Sequence, residues 1–165
     1  MLYFAYGSNM SLRRLHQRVQ SASVVTVAML YGHELRFHKV GKDLSAKCDA
    51  YETGDIHDAV FGVVYDIHPD DKMILDYIEG LGRGYKEKLV EVQTFSSETV
   101  SATIYCATEI NPSLKPFAWY KHHVLSGAME SGLPDDYVEQ AIRHIESIDD
   151  RDPVRQLREM AVYDR

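Results

Sequence analysis

The chain has 165 residues, the size of one core rather than two, and at that length folding buries about two thirds of the unfolded surface without disulfides or a structural metal. Its 18 basic and 25 acidic residues give a formal charge of −7, with no run of Lys or Arg to track a phosphate backbone, which argues against a nucleic-acid partner. Cys48 and Cys106 are the two cysteines, and with neither an apolar leader nor a long apolar run the chain reads as a cytoplasmic protein that meets no membrane.

Leu2 to Tyr6 is a short run of strand formers stopped by Gly7-Ser8-Asn9, a cluster that favours a tight turn. Ser11 then caps a predicted helix from Leu12 to about Val19, with Leu12, Leu15, His16 and Val19 on one face and Arg13, Arg14, Gln17 and Arg18 elsewhere. From Ala22 to Val40 the alternation of Val24, Val25, Val27, Met29, Leu35 and Phe37 breaks at Tyr31-Gly32, which predicts two strands or one sharply bent strand. A polar loop over 41–58 contains a short predicted strand from Ala46 to Tyr51. Ala59 to Tyr65 is nearly continuous in apolar residues and reads as a central strand buried on both faces.

His68-Pro69-Asp70-Asp71 opens a helix, because Pro suits the first helical position and Asp faces the positive end of the dipole. Met73, Ile74, Tyr77 and Ile78 form its apolar stripe, and Gly80 stops it. Tyr85 to Phe95 and Thr99 to Ala107 read as a hairpin around Ser96-Ser97-Glu98. Two helices follow, Lys115 to Glu130 and Pro134 to Ile148. The expected fold is α+β, a small mixed barrel-like sheet with flanking helices, formed by a single domain over 1–148 and a charged C-terminal tail over 149–165.

Several chemistries do not fit. Gly80, Gly82 and Gly84 follow a helix and precede a strand, the reverse of a dinucleotide or P-loop site. Ser8 lies outside any G-x-S-x-G elbow. The eight histidines lack ligand spacing, so neither a metal nor another cofactor is expected. Two features stand out. In Tyr6-Gly7-Ser8-Asn9 successive N–H groups ahead of a helix can hold an anion or a developing oxyanion, although taken alone this is also an ordinary strand-to-helix turn. Glu79 stands at the negative end of its helix beside Ile78 and Leu81, where dipole and desolvation both disfavour its charged form and should raise its pKa toward that of a general base. A solvated helix-end Glu is the alternative.

Together, Tyr3-Phe4-Ala5-Tyr6-Gly7-Ser8-Asn9, Leu75-Asp76-Tyr77-Ile78-Glu79-Gly80 and Gly84-Tyr85 resemble the γ-glutamylcyclotransferase family. The resemblance continues through Phe61-Gly62-Val63-Val64-Tyr65, Tyr120 and Gly132-Leu133-Pro134. It implies conversion of a γ-glutamyl amino acid or amine into 5-oxoproline and the free amine, with Glu79 as the catalytic carboxylate. It also implies that Tyr3, Phe4, Ala5, Tyr6, Gly7, Ser8 and Asn9 hold the substrate, with Tyr120 as a further contact and Tyr85 as a pocket wall. Leu44-Ser45-Ala46 departs from the glycine-rich stretch expected before Lys47. Asn9, where glutathione-specific relatives carry Leu, points away from that branch. A γ-glutamylamine cyclotransferase, removal of a γ-glutamyl group from a larger metabolite, and a non-catalytic metabolite-binding module that could form a homodimer through the C-terminal helices are the competing expectations.

Overall fold

A computed structural model describes residues 1–164; residue 165, the end of the expected tail, lies outside them. Five strands close into a barrel: β1 (Leu2–Ala5), β2 (Ser23–Tyr31), β5 (Ala59–Asp66), β6 (Tyr85–Thr94) and β7 (Thr99–Ala107), in the order β1-β5-β2-β6-β7. Within the apolar run 59–65, Val60, Val63, Val64 and Tyr65 are fully buried, and β5 pairs with both β1 and β2. Closure comes from a parallel bridge between Tyr3 and Thr103. The break at Tyr31-Gly32 does separate two strands. They also part company in space, since β3 (His33–Val40) leaves the barrel to pair with β4 (Ala46–Glu52) in a separate two-stranded sheet.

The first helix is shorter than its pattern predicts. A single 3₁₀ turn spans Ser8–Met10, and α1 covers Leu12–His16, where the chain turns as the His16 ring bonds the Ala22 carbonyl at 2.8 Å. Arg14, expected away from the apolar face, is buried. Helix α2 (Pro69–Glu79) also presents a different face from the one predicted. Met73, Ile74 and Tyr77 are exposed, whereas Leu75 is fully buried beside Lys72, Asp76 and Glu79. Lys72, Asp76 and Glu79 are half-buried, so the inward stripe is 72, 75, 76, 79, rotated toward polar contacts, and of the predicted apolar stripe only Ile78 is half-buried beside it. Gly80 ends the helix at φ 72°, a left-handed conformation that a side chain disfavours.

Helix α3 (Ala118–Glu130) packs its buried Val124 and Ala128 near the 3₁₀ turn. The helix predicted over 134–148 is α4 (Asp135–Val138), which widens into a π-helical turn and ends at Arg143. Beyond 149 the charged stretch is docked. Asp152 caps α5 (Pro153–Met160), Asp150 accepts from Trp119 Nε1 at 2.8 Å, and Tyr163 bonds the His123 ring at 2.8 Å. Among the described residues no helix is long and apolar enough to cross a membrane.

Candidate active site

The end of β1, the 3₁₀ turn and the end of α2 meet at one point. Gly7 lies so close to β4 that a Cβ there would stand 3.0 Å from Cys48 Cβ and 3.5 Å from the Tyr120 hydroxyl, so the turn can approach β4 only without a side chain. The first N–H groups of such a turn have no partner within it. Asn9 then uses its whole amide. Its Nδ2 donates to Glu79 Oε1 at 2.8 Å and to the Tyr3 hydroxyl at 3.0 Å, and its Oδ1 accepts from Arg18 at 2.8 Å. Arg18 also stands 3.6 Å from Glu79 Oε1. The Glu79 carboxylate is thus oriented from two sides while its side chain keeps 15% exposure.

Five tyrosines surround this junction, and their hydroxyls divide by role; that of Tyr105 donates to Asp76 at 2.6 Å. Tyr6 donates to the Tyr105 carbonyl and Tyr85 donates to the Cys48 carbonyl at 2.7 Å, so both protons are committed to backbone. Tyr3 accepts from Asn9 and Tyr120 accepts from the Cys48 N–H at 2.9 Å, which leaves each hydroxyl proton available to another acceptor. Burial, with Glu79 next in effect, pushes the Tyr3 pKa far up, and burial does the same for Tyr85 and Tyr120. These groups remain neutral donors.

Tyr3, Tyr6, Gly7, Ser8, Asn9, Glu79, Tyr85 and Tyr120 all line one cavity of about 30 Å³. Phe4 and Ala5, expected with them, do not reach it: both are buried in the barrel, Phe4 paired with Val64 and Ala5 with Val63. Strand alternation explains this for Phe4, whose side chain faces opposite to Tyr3. The cavity opens into a cleft of about 190 Å³ that shares Ser8, Glu79, Tyr85 and Tyr120 and adds Arg14, Arg18, Lys39, Lys42 and Lys47. Burial lowers the pKa of Arg14, Lys39 and Lys47. Among the described residues no group of three or more His, Cys, Asp or Glu is arranged to hold a metal ion.

Sequence reasoning left out Cys48, Tyr105 and these cations. Cys48 contributes chiefly through its backbone, for which composition gives no signal, and burial pushes its thiol up to about 12. Arg14 and Arg18 were visible as a four-residue spacing on the predicted polar face of the first helix; in the structure Arg14 lies within α1 and Arg18 beyond its end at His16.

The sequence and the fold both have known relatives. A family model described as the AIG2-like family matches residues 59–140. The γ-glutamylcyclotransferase of Mus musculus is 33% identical over 143 residues, covering 84% of this chain and 76% of that protein, and the Homo sapiens enzyme is 33% identical over 146 residues with the same coverage. A solved structure of a γ-glutamyl cyclotransferase superposes with a TM-score of 0.84 at 30% identity, covering 92% of this chain and 91% of that one. On sequence and fold together, the chain belongs to the γ-glutamylcyclotransferase family.

Proposed function

We propose that this protein is a γ-glutamyl cyclotransferase that folds a γ-glutamyl amide back on itself, releasing 5-oxoproline and a free amino acid or amine. The observation that carries the reading is the shared cavity of the Glu79 carboxylate and the Gly7-Ser8-Asn9 turn, joined by the 2.8 Å bond from Asn9. In this reading Glu79 removes a proton from the substrate's α-ammonium. The freed nitrogen then attacks the γ-carbonyl carbon, and the carbonyl oxygen becomes an oxyanion held by the turn's N–H groups. Glu79 returns that proton to the departing nitrogen as its bond to carbon breaks, then carries the second proton shed by the ring nitrogen to the freed amine, which leaves as an ammonium, so atoms and charge balance without water.

Ring closure is intramolecular, and enforcing the bent conformation can supply effective molarities of about 10⁵–10⁸ M. Tyr3 and Tyr120, whose hydroxyl protons are not taken by backbone carbonyls, are the donors for the glutamyl unit's oxygens. Tyr6 and Tyr85 act as walls and braces. Phe4 and Ala5 support the turn from the barrel. Two unpaired, buried cysteines fit the reducing cytoplasm as the site of action.

The test is Glu79→Gln, which preserves shape and removes the base. Release of 5-oxoproline from γ-glutamyl compounds should fall at least about 100-fold. A folded variant that works at the parent rate refutes the assignment.

A further inference from the structure

Lys39 stands out among the cations of the cleft. Arg14 bonds Glu159, Arg18 lies between Asn9 and Glu79, and Lys47 holds Asp43 Oδ2 at 2.8 Å. Lys39 is only 7% exposed, yet among the described residues it forms no ion pair; its ammonium stands 4.6 Å from the centre of the Tyr85 ring. A buried charge without a counter-charge is costly, and so are like charges placed directly opposite on neighbouring strands. Lys39 faces both costs, because its partner across the β3–β4 pair is Lys47. The pairing register also shifts between Phe37 and Lys39, a bulge of the kind that re-aims a side chain beside an active site.

We propose that Lys39 is the specificity-determining residue that binds a carboxylate on the departing group of the substrate, an inference that rests on the cyclotransferase reading. Its position selects the departing group over the glutamyl unit. Lys39 lines the outer cleft with Arg14 and Trp119 and is absent from the inner cavity, which the turn and the tyrosine hydroxyls line. Glu79 belongs to both spaces, so a scissile bond beside it puts the glutamyl unit inward and the departing group outward. Glu79, Asp43 and Glu109 act on the ammonium from beyond ion-pair distance, and a substrate carboxylate would give it a counter-charge in direct contact. The cation–π contact with Tyr85 holds it toward the cleft until substrate arrives.

The test compares γ-glutamylalanine with γ-glutamylethylamide, which differ by one carboxylate, in the unaltered protein, Lys39→Met and Lys39→Arg. The unaltered protein should favour γ-glutamylalanine in kcat/KM by at least about 10-fold, one charge-assisted hydrogen bond. Lys39→Met should bring that ratio close to one, and Lys39→Arg should restore much of it. Because an unpaired buried charge is lost, Lys39→Met should melt no lower than the parent, which separates the effect from a folding defect. A ratio indifferent to Lys39 overturns this assignment alone, as does an equal loss on both compounds, which would put Lys39 on the glutamyl unit. If the unaltered protein turns over neither these nor any other γ-glutamyl compound, the cyclotransferase reading fails and this assignment fails with it.

Discussion

Helix α2 carries Glu79, yet Leu75 is its one fully buried residue, so apolar burial does not explain how it is held against the barrel. The missing attachment is polar. Tyr105 on β7 donates to Asp76 Oδ1 at 2.6 Å, and Lys72 reaches both Asp76 oxygens, at 2.6 and 2.8 Å, and Glu87 on β6 at 2.6 Å. Asp76 lies three residues before Glu79 and therefore on the same face. Tyr105→Phe removes only the hydroxyl and keeps the edge-on contact with Tyr3, whose ring centre is 5.7 Å away. A hydrogen bond to a charged group contributes about 1.5–3 kcal/mol, and with Lys72 still on Asp76 the lower end applies. At this chain length that loss lowers Tm by roughly 3–6 °C.

The same loss of fixation at Glu79 should lower kcat about 10-fold while KM moves little, because the contacts to bound substrate are untouched. Thermal melts and initial rates of 5-oxoproline release measure both. Asp76→Asn should give a similar loss, and the double variant should fall short of the sum because the two changes cut one contact. A variant that melts lower with kcat unchanged would show that the clamp only stabilises, and the reasoning about Glu79 would be wrong.

Gly7→Ala should cost about 1–2 kcal/mol in denaturant unfolding and at least about 10-fold in kcat/KM, since the new methyl meets a Cys48 whose backbone two tyrosines hold; parent-like activity would mean the turn moves freely. Acid should loosen the docked C-terminal stretch. Burial pushes the His123 pKa down from 6.5 to about 4 even though Glu159 pulls the other way, so between those values the unfolded chain binds more protons than the folded one. Stability is therefore lost as pH falls from about 6.5 toward 4, by roughly 3 kcal/mol for a shift of that size. Glu159 adds to this. Its burial would raise its pKa, but the bond from the Arg14 guanidinium and that group's charge hold it well below the usual range, and that stability is lost as pH falls below about 4.5. Tm followed from pH 7.5 to 5 should drop, with a shallower slope in His123→Gln; a flat profile would contradict the assigned neutral His123.

The barrel was legible because its signals are local. The apolar run 59–65, the hairpin around Ser96-Ser97-Glu98 and the stop at Gly80 each follow from residues within a few positions of one another. Which face α2 buries was not legible. Met73, Ile74 and Tyr77 give the more apolar stripe, and choosing the stripe with Asp76 and Glu79 requires Tyr105, Asn9 and Arg18, which lie far off in sequence. The docking of the C-terminal stretch escaped for the same reason, since Asp150 and Glu159 are charges whose partners, Trp119 and Arg14, come from distant segments. The inner cavity was legible where the motif was dense, at Tyr3 and Tyr6 to Asn9. Phe4 and Ala5 show the limit, because a contiguous motif on a strand cannot direct every side chain into one cavity.

The cleft also changes what net charge says about the substrate. A formal charge of −7 counts 18 cations against 25 anions over the whole chain. Five of those cations, Arg14, Arg18, Lys39, Lys42 and Lys47, line a single cleft whose lining includes two acidic residues, Asp43 and Glu79, while Glu159 pairs with Arg14. Two unit charges 4 Å apart interact by about 4 kcal/mol at an effective dielectric near 20, whereas exposed charges beyond about 8 Å are largely screened at physiological salt. The acidic surface therefore contributes little inside the cleft, where the local balance is positive. In the proposed reaction, hydroxyls and N–H groups serve the inner cavity, where the reacting carbonyl would gain and lose negative charge within one turnover, and fixed cations serve the outer cleft, where a charge that persists through the reaction would need only to be held.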